Sequence, residues 1–233
     1  MNQEILLLLI TTASIAFFHT LFGPDHYLPF IVMSKARKWT MFKTIWITIL
    51  CGLGHVGSSI LIGAIGVAFG FGISKVEGFE GIRGNIAAWA FILFGLIYFA
   101  WGMWRAIKNK PHKHIHIHDN GSVHTHEHTH LEKHDHVHKK NITPWVLFTI
   151  FVLGPCEPLI PILMYPAAKQ STFGLISVII VFSVITIATM LAVVLLASKG
   201  IKMISFGKVE KYTHAIAGAT IFLSGFAIVF LGL

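Results

Sequence analysis

The chain has 233 residues, 55% of them hydrophobic and only 12% charged, with a mean hydropathy of +0.72. A soluble domain carries about 25% charged residues, so the composition excludes an ordinary soluble fold and predicts an all-α integral membrane protein. The net charge of +8 is spread over alternate loops rather than gathered into one patch, so the expected surroundings are a lipid bilayer and no nucleic acid.

An apolar stretch of about 20 residues crosses a bilayer as a helix. Six stretches qualify: roughly 4–33, 44–73, 85–104, 142–168, 171–197 and 212–232. The first, second and fourth exceed the length needed and are expected to tilt or break. The first does not read as a cleaved signal peptide, because no basic segment precedes it and it runs straight into a polar motif. That motif is His19-Thr20-Leu21-Phe22-Gly23-Pro24-Asp25-His26. A charge at the bilayer centre costs on the order of 3 kcal/mol, so Asp25 calls for a partner or a function. On an unbroken helix His19 and His26 stand two turns apart, about 10.5 Å along the axis. Pro24 removes the hydrogen bond to the Thr20 carbonyl and clashes with it. A break there would fold Asp25 and His26 back toward His19. A Pro-kinked helix with a packed His–Asp pair is the plainer alternative.

The second span carries Cys51-Gly52-Leu53-Gly54-His55. Counted from Lys43 and Lys35, His55 and His26 lie about 18 and 14 Å into the membrane at helical rise, so they can share a depth. The third span leads into a hydrophilic linker, residues 108–141, that holds eleven of the fifteen histidines. They are His112, His114, His116, His118, His124, His126, His128, His130, His134, His136 and His138, mostly spaced His-x-His. Neutral imidazole is the commonest ligand for first-row transition metals. The linker is therefore expected to bind several ions, with no fixed geometry in the absence of metal. A solvated low-complexity tract is the alternative.

The fourth span carries Gly154-Pro155-Cys156-Glu157-Pro158-Leu159-Ile160-Pro161, and three prolines in seven residues cannot sit in a regular helix. Glu157 is a second intramembrane acid. Cys156 is either a soft ligand or a small buried hydrophobe. His214, at the start of the sixth span, reads as interfacial, and Met164 and Met190 as packing.

The two halves of the chain resemble each other. GPDHYLPFIVM at Gly23 aligns with GPCEPLIPILM at Gly154, 131 residues further on, which pairs Asp25 with Cys156 and His26 with Glu157. Lys75-Val76-Glu77 echoes Lys208-Val209-Glu210, and Gly95 and Gly102 echo Gly225 and Gly232. The expected organisation is a six-helix, 3+3 inverted repeat with helices one and four broken. Residues 1–107 and 142–233 form the halves, and residues 108–141 the linker. Substrate sites in such repeats lie near the midplane where broken helices meet. Fifteen of the eighteen Lys and Arg residues fall in the 34–43, central and 198–211 loops; Lys75, Arg83 and Lys169 fall on the other side. The positive-inside rule then places a multi-pass protein in the plasma (inner) membrane, with both termini outside and the histidine linker in the cytoplasm. Trp39, Trp101, Trp104 and Trp145 are expected near that cytoplasmic boundary as an aromatic belt.

The candidate metal site comprises His19, Asp25, His26, His55 and Glu157, with Cys156 as a further candidate. Mixed imidazole and carboxylate donors suit Ni²⁺, Co²⁺ or Zn²⁺ better than Mg²⁺ or Cu⁺. With those residues in hand, the chain resembles the nickel/cobalt transporter superfamily, nearest the branch of urease-accessory membrane proteins and histidine-loop nickel/cobalt exporters. HTLFGPDH, GLGH, the GPCEP segment and the histidine-rich linker carry the resemblance, which covers nearly the whole chain. The uptake permeases of that superfamily space His and Asp-His by four residues; here five residues separate His19 from Asp25. The resemblance implies nickel or cobalt movement and implicates His19, Asp25 and His26.

The expectation from sequence is thus a secondary transporter of divalent transition metal, nickel or cobalt first and zinc third. It would favour export and couple to protons through Asp25 and Glu157. It would not be an enzyme and would hold no permanently bound cofactor. No GxxxxGK[ST] motif accompanies it. The first rival is a membrane thiol–disulfide electron carrier, whose PC-containing spans resemble GPCEP and which calls for two exchangeable cysteines. The second is a metal-sensing or chaperone membrane subunit that transports nothing. The third, an anion exporter, would want Arg or Lys near the midplane, and the spans as drawn contain none.

Overall fold

A computed structural model describes residues 3–70, 72–108, 112–117, 123–128, 142–203 and 207–232. Among the described residues the regular structure is helical apart from one hairpin in the linker. In order, α1 is Gln3–Phe22, α2 Leu28–Ala36, α3 Met41–Ala68 and α4 Ile73–Lys108; β1 is His112–Ile117 and β2 Val123–His128; α5 is Thr143–Leu153, α6 Leu159–Ala168, α7 Thr172–Met203 and α8 Thr213–Leu231. Among the described residues, five helical stretches are long and apolar enough to cross a membrane, those of α1, α3, α4, α7 and residues 209–231. Phe22, Phe42, Leu61, Leu196 and many other large apolar side chains lie exposed on their outer faces. Such a surface belongs against lipid. The protein is an all-α multi-pass membrane protein.

The fourth expected span is delivered as two short pieces, the 11-residue α5 and the 10-residue α6. The first is likewise α1, a 3₁₀ turn over Pro24–His26, and the 9-residue α2. Proline explains both interruptions. Pro24 opens the 3₁₀ turn, while Pro155 and Pro158 lie in the gap between α5 and α6, and Pro161 sits in the first turn of α6, where no intrahelical donor is needed. Carbonyls freed by a break need new donors in the membrane. At the first break the Tyr27 hydroxyl donates to the Leu21 carbonyl at 3.2 Å. At the second, Arg83 Nη2 donates to the Gly154 carbonyl at 3.0 Å.

Hydroxyls within the spans are silenced locally. Thr12, Thr20, Thr48 and Ser183 each donate to the carbonyl one turn back. Packing follows a cross-exchange pattern: α1 lies along α7, α5 along α3, and α4 along α8. The α4–α8 contact is the closest. A Cβ on Gly95, Gly102 or Gly218 would strike the backbone of the facing helix. The core runs from Phe30, Met33 and Trp39 through Leu147 and Phe151 to Met190 and Ile221. Trp39 is 4% exposed and belongs to this core, not to an interfacial belt, whereas Trp104 and Trp145 are 58% and 72% exposed.

In the linker, β1 and β2 pair antiparallel with His112 opposite His128, His114 opposite His126, and His116 opposite His124. The described part of the linker is thus a paired hairpin that places histidines opposite one another. His118, His130, His134, His136 and His138 lie outside the described residues.

Candidate functional site

Three imidazoles meet beside the first break. His19 ends α1, His26 closes the 3₁₀ turn and His55 lies in the middle of α3. The His19 and His26 ring centroids are 4.8 Å apart, and those of His26 and His55 5.0 Å, each pair edge to face. One nitrogen from each of the three lies within 4.8 Å of the others. The Nε2 atoms of all three are buried and find no partner among the described residues. The fold-back depends on Gly23, where a Cβ would fall 2.5 Å from His26 Nδ1.

His26 has a defined tautomer. Its Nδ1 lies 3.1 Å from the Gly23 carbonyl and 3.2 Å from Asp25 Oδ1, both of which only accept, so Nδ1 carries the proton. In the neutral ring Nε2 is then a lone pair directed at the cluster. Asp25 therefore acts on the back of His26 and is not among the three converging donors.

A cleft of about 680 Å³ joins the two breaks. His19, Asp25 and His26 line it from one side and Pro155, Glu157 and Pro158 from the other, with Phe18 and Phe22 along α1. Glu157 is exposed toward this space. Cys156 is fully buried and turned away into an apolar cluster with Ala16, Val56 and Phe182. The second break nonetheless touches the histidines, because a Cβ on Gly154 would come 3.2 Å from His55 Nδ1. The α1 helix packs mainly along α7, and span one also meets span four: Phe30 of α2 lies against Phe151 of α5 with ring centroids 4.6 Å apart, and Ala16 joins the Cys156 cluster.

Sequence reasoning missed Glu80 and Arg83. The apolar pattern starts the third span at residue 85 and leaves Arg83 in the external loop. The helix in fact begins at Ile73, and both residues face inward. Glu80 is fully buried. Its Oε2 accepts from Arg83 Nη2 at 2.6 Å, from Ser59 Oγ at 3.1 Å and from the Cys156 backbone N–H at 3.2 Å. The signal was the i, i+3 spacing of Glu80 and Arg83 in register with Ala87 and Phe91, hidden because a hydropathy window penalises any charge. His214 is also more than interfacial. Its Nδ1 bonds the Tyr98 hydroxyl at 2.8 Å.

The family described as the cytochrome c biogenesis protein transmembrane region matches residues 28–229. No curated protein and no solved structure matches the chain. The matched segment contains Cys51, His55, Glu80, Arg83 and Cys156, and starts just after the turn that bears Asp25 and His26. This match overturns the assignment to the nickel/cobalt transporter superfamily, and with it the reading as a nickel or cobalt transporter. A histidine-rich linker and a Gly-Pro-Asp-His turn are local features, whereas the match extends over the helices that make the fold. The chain belongs to the cytochrome c biogenesis protein transmembrane region family.

Proposed function

We propose that the chain carries reducing equivalents in the membrane by thiol–disulfide exchange, with Cys156 as the exchanging thiol. The observation that carries this reading is the family match over residues 28–229, which includes the Gly154-Pro155-Cys156 break. A cysteine in a non-helical turn can reach a partner sulfur without unwinding a helix.

Cys51 is not a disulfide partner for Cys156 in this conformation. It stands two helical turns from Ser59, about 12 Å along α3. Ser59 shares Glu80 with the Cys156 turn. Disulfides need Cα atoms about 4.4–6.8 Å apart. In the aligned first half, the position of Cys156 is held by Asp25. The exchange is therefore a one-thiol relay between a dithiol donor and a disulfide acceptor. The Cys156 thiolate attacks the acceptor disulfide; that S–S bond breaks, and the departing sulfur takes up the proton Cys156 released. A donor thiolate then attacks Cys156 Sγ and expels the acceptor as a dithiol. The second donor thiol closes the donor disulfide and frees Cys156. Two electrons and two protons pass from donor to acceptor.

The six-span, 3+3 inverted arrangement belongs to the same proposal. Its support is the exchange of partners between halves, α1 on α7 and α5 on α3. The distribution of Lys and Arg supports termini outside and a cytoplasmic linker, with Arg83 now removed from the count. The test uses proteoliposomes with a membrane-impermeant dithiol protein outside and a disulfide-bearing reporter protein trapped inside. Reporter reduction is expected with the native chain and with Cys51→Ser, and is expected to fall to the leak rate in Cys156→Ser. Continued reduction through Cys156→Ser overturns the reading.

The three converging imidazoles favour a second reading, that of a membrane subunit that holds one divalent transition-metal ion and does not move it. His19, His26 and His55 would be its ligands, with Asp25 orienting His26. Co²⁺ titration of the purified protein tests this. A stoichiometric visible band that is absent in His55→Ala is expected, and no band in either protein removes the reading.

A further inference from the structure

Three consecutive residues of the second break, Gly154, Pro155 and Cys156, are each seated on one face of α4. Arg83 Nη2 donates to the Gly154 carbonyl at 3.0 Å. Pro155 lies over Gly84, where a Cβ would come 2.5 Å from Pro155 Cγ. Glu80 accepts the Cys156 N–H at 3.2 Å. Residues 80, 83 and 84 share a helical face by their spacing. The seat is thus a carboxylate, a guanidinium and a gap, each matched to one residue of the turn that bears the thiol.

We infer that Glu80 and Arg83 are positioning residues that hold the Cys156 turn closed and so set when the thiol is available to a partner. The inference rests on the reading of Cys156 as the exchanging thiol. Two observations support a latch over a permanent strut. A buried ion pair adds little to stability compared with an apolar pair of the same volume, so a seat needed only for packing has no call for one. The network is also only partly filled: Glu80 Oε1, Arg83 Nε and Arg83 Nη1 are buried and find no partner among the described residues. Those atoms gain donors or acceptors when the turn lifts and the pair meets water or a partner. Cys156, fully buried in the closed turn, is uncovered by the same movement.

The test reads thiol access directly, in the full chain reconstituted in liposomes. In a Cys51→Ser background, modification of Cys156 by N-ethylmaleimide is followed by mass. The rate is expected to be slow with Glu80 and Arg83 intact and to rise at least tenfold in Arg83→Gln. A similar rise is expected in Gly84→Ala, which displaces Pro155 without removing a charge. Arg83→Lys keeps a cation at the seat and is expected to restore much of the protection. The same substitutions in a Cys156→Ser background must leave the modification rate of Cys51 unchanged. Rates at Cys156 that do not move in Gly84→Ala and Arg83→Gln overturn the inference. A parallel rise at Cys51 also overturns it, because it would report general loosening. If Arg83→Gln does not fold, Gly84→Ala alone decides. Failure of the native chain to reduce the trapped reporter would sink the carrier reading and leave these modification rates a valid measure of the seat.

Discussion

His26 shows how one side chain can be set up by its immediate neighbours. Gly23 lets the ring fold back, the Gly23 carbonyl and Asp25 fix its proton on Nδ1, and Nε2 is left directed at His19 and His55. A carboxylate behind a ligand imidazole typically raises metal affinity 10–100-fold. Asp25→Asn should therefore weaken Co²⁺ binding by about 10-fold or more while His55→Ala abolishes it; the visible cobalt band measures both. An Asp25→Asn affinity equal to that of the native chain would place the carboxylate outside the site. The meeting of His26 and His55 was legible in the sequence, because two histidines at similar counts from a basic loop must lie at similar depth. The break was legible for a related reason, since proline has no N–H to give. Glu80 was not legible: an ion pair makes a charged helical face tolerable inside a span, and nothing in a single chain's hydropathy announces that the two charges meet.

At the scale of elements, three of the four glycines that echo between the halves, Gly95, Gly102 and Gly225, sit where helices touch, as does Gly218, whereas Gly232 has no atom within 4 Å of where a Cβ would stand. Gly95 and Gly218 face each other across α4 and α8, each against the partner's backbone. Gly57, on α3, has no atom within 4 Å of where a Cβ would stand. The two kinds of glycine should respond in opposite directions. Gly95→Ala must push two helices apart, with a cost on the order of 1–3 kcal/mol. Gly57→Ala meets nothing and should be neutral or stabilising by up to about 1 kcal/mol through helix propensity. Thermal unfolding of both variants in one detergent checks the pair, and equal midpoints would contradict the packing. These two kinds of glycine look alike in the sequence, because close approach depends on which helix arrives from the other half of the chain. The break between α5 and α6, by contrast, followed from composition alone.

For the molecule as a whole, the linker and the helical body are separable. Among the described residues, β1 and β2 pair with each other and with no helix to a comparable degree. Deleting residues 112–138 should leave the unfolding midpoint within a few degrees of the native one and leave reporter reduction intact. A collapse of either would mean that the histidine hairpin braces the spans. Function was the least legible level. Histidines are conspicuous and chemically suggestive, so they dominated the reading, while family membership is written in helix-long patterns that no short motif displays.

The exchange of partners between the halves has a consequence for biogenesis. Because α1 rests on α7, α5 on α3 and α4 on α8, each half depends on the other to bury much of its inner surface. As the ribosome delivers the chain, α1 is inserted long before α7 exists, and its inner face must wait in lipid or against a holding factor. Maturation is then a late, concerted event rather than a stepwise one. It also makes the covalent connection between the halves dispensable. Residues 1–107 and 142–233, produced as separate polypeptides in one cell, should co-purify as a complementing pair. Each alone should be cleared by membrane proteases. Stable accumulation of either fragment by itself, measured by pulse-chase, would show that the halves mature independently.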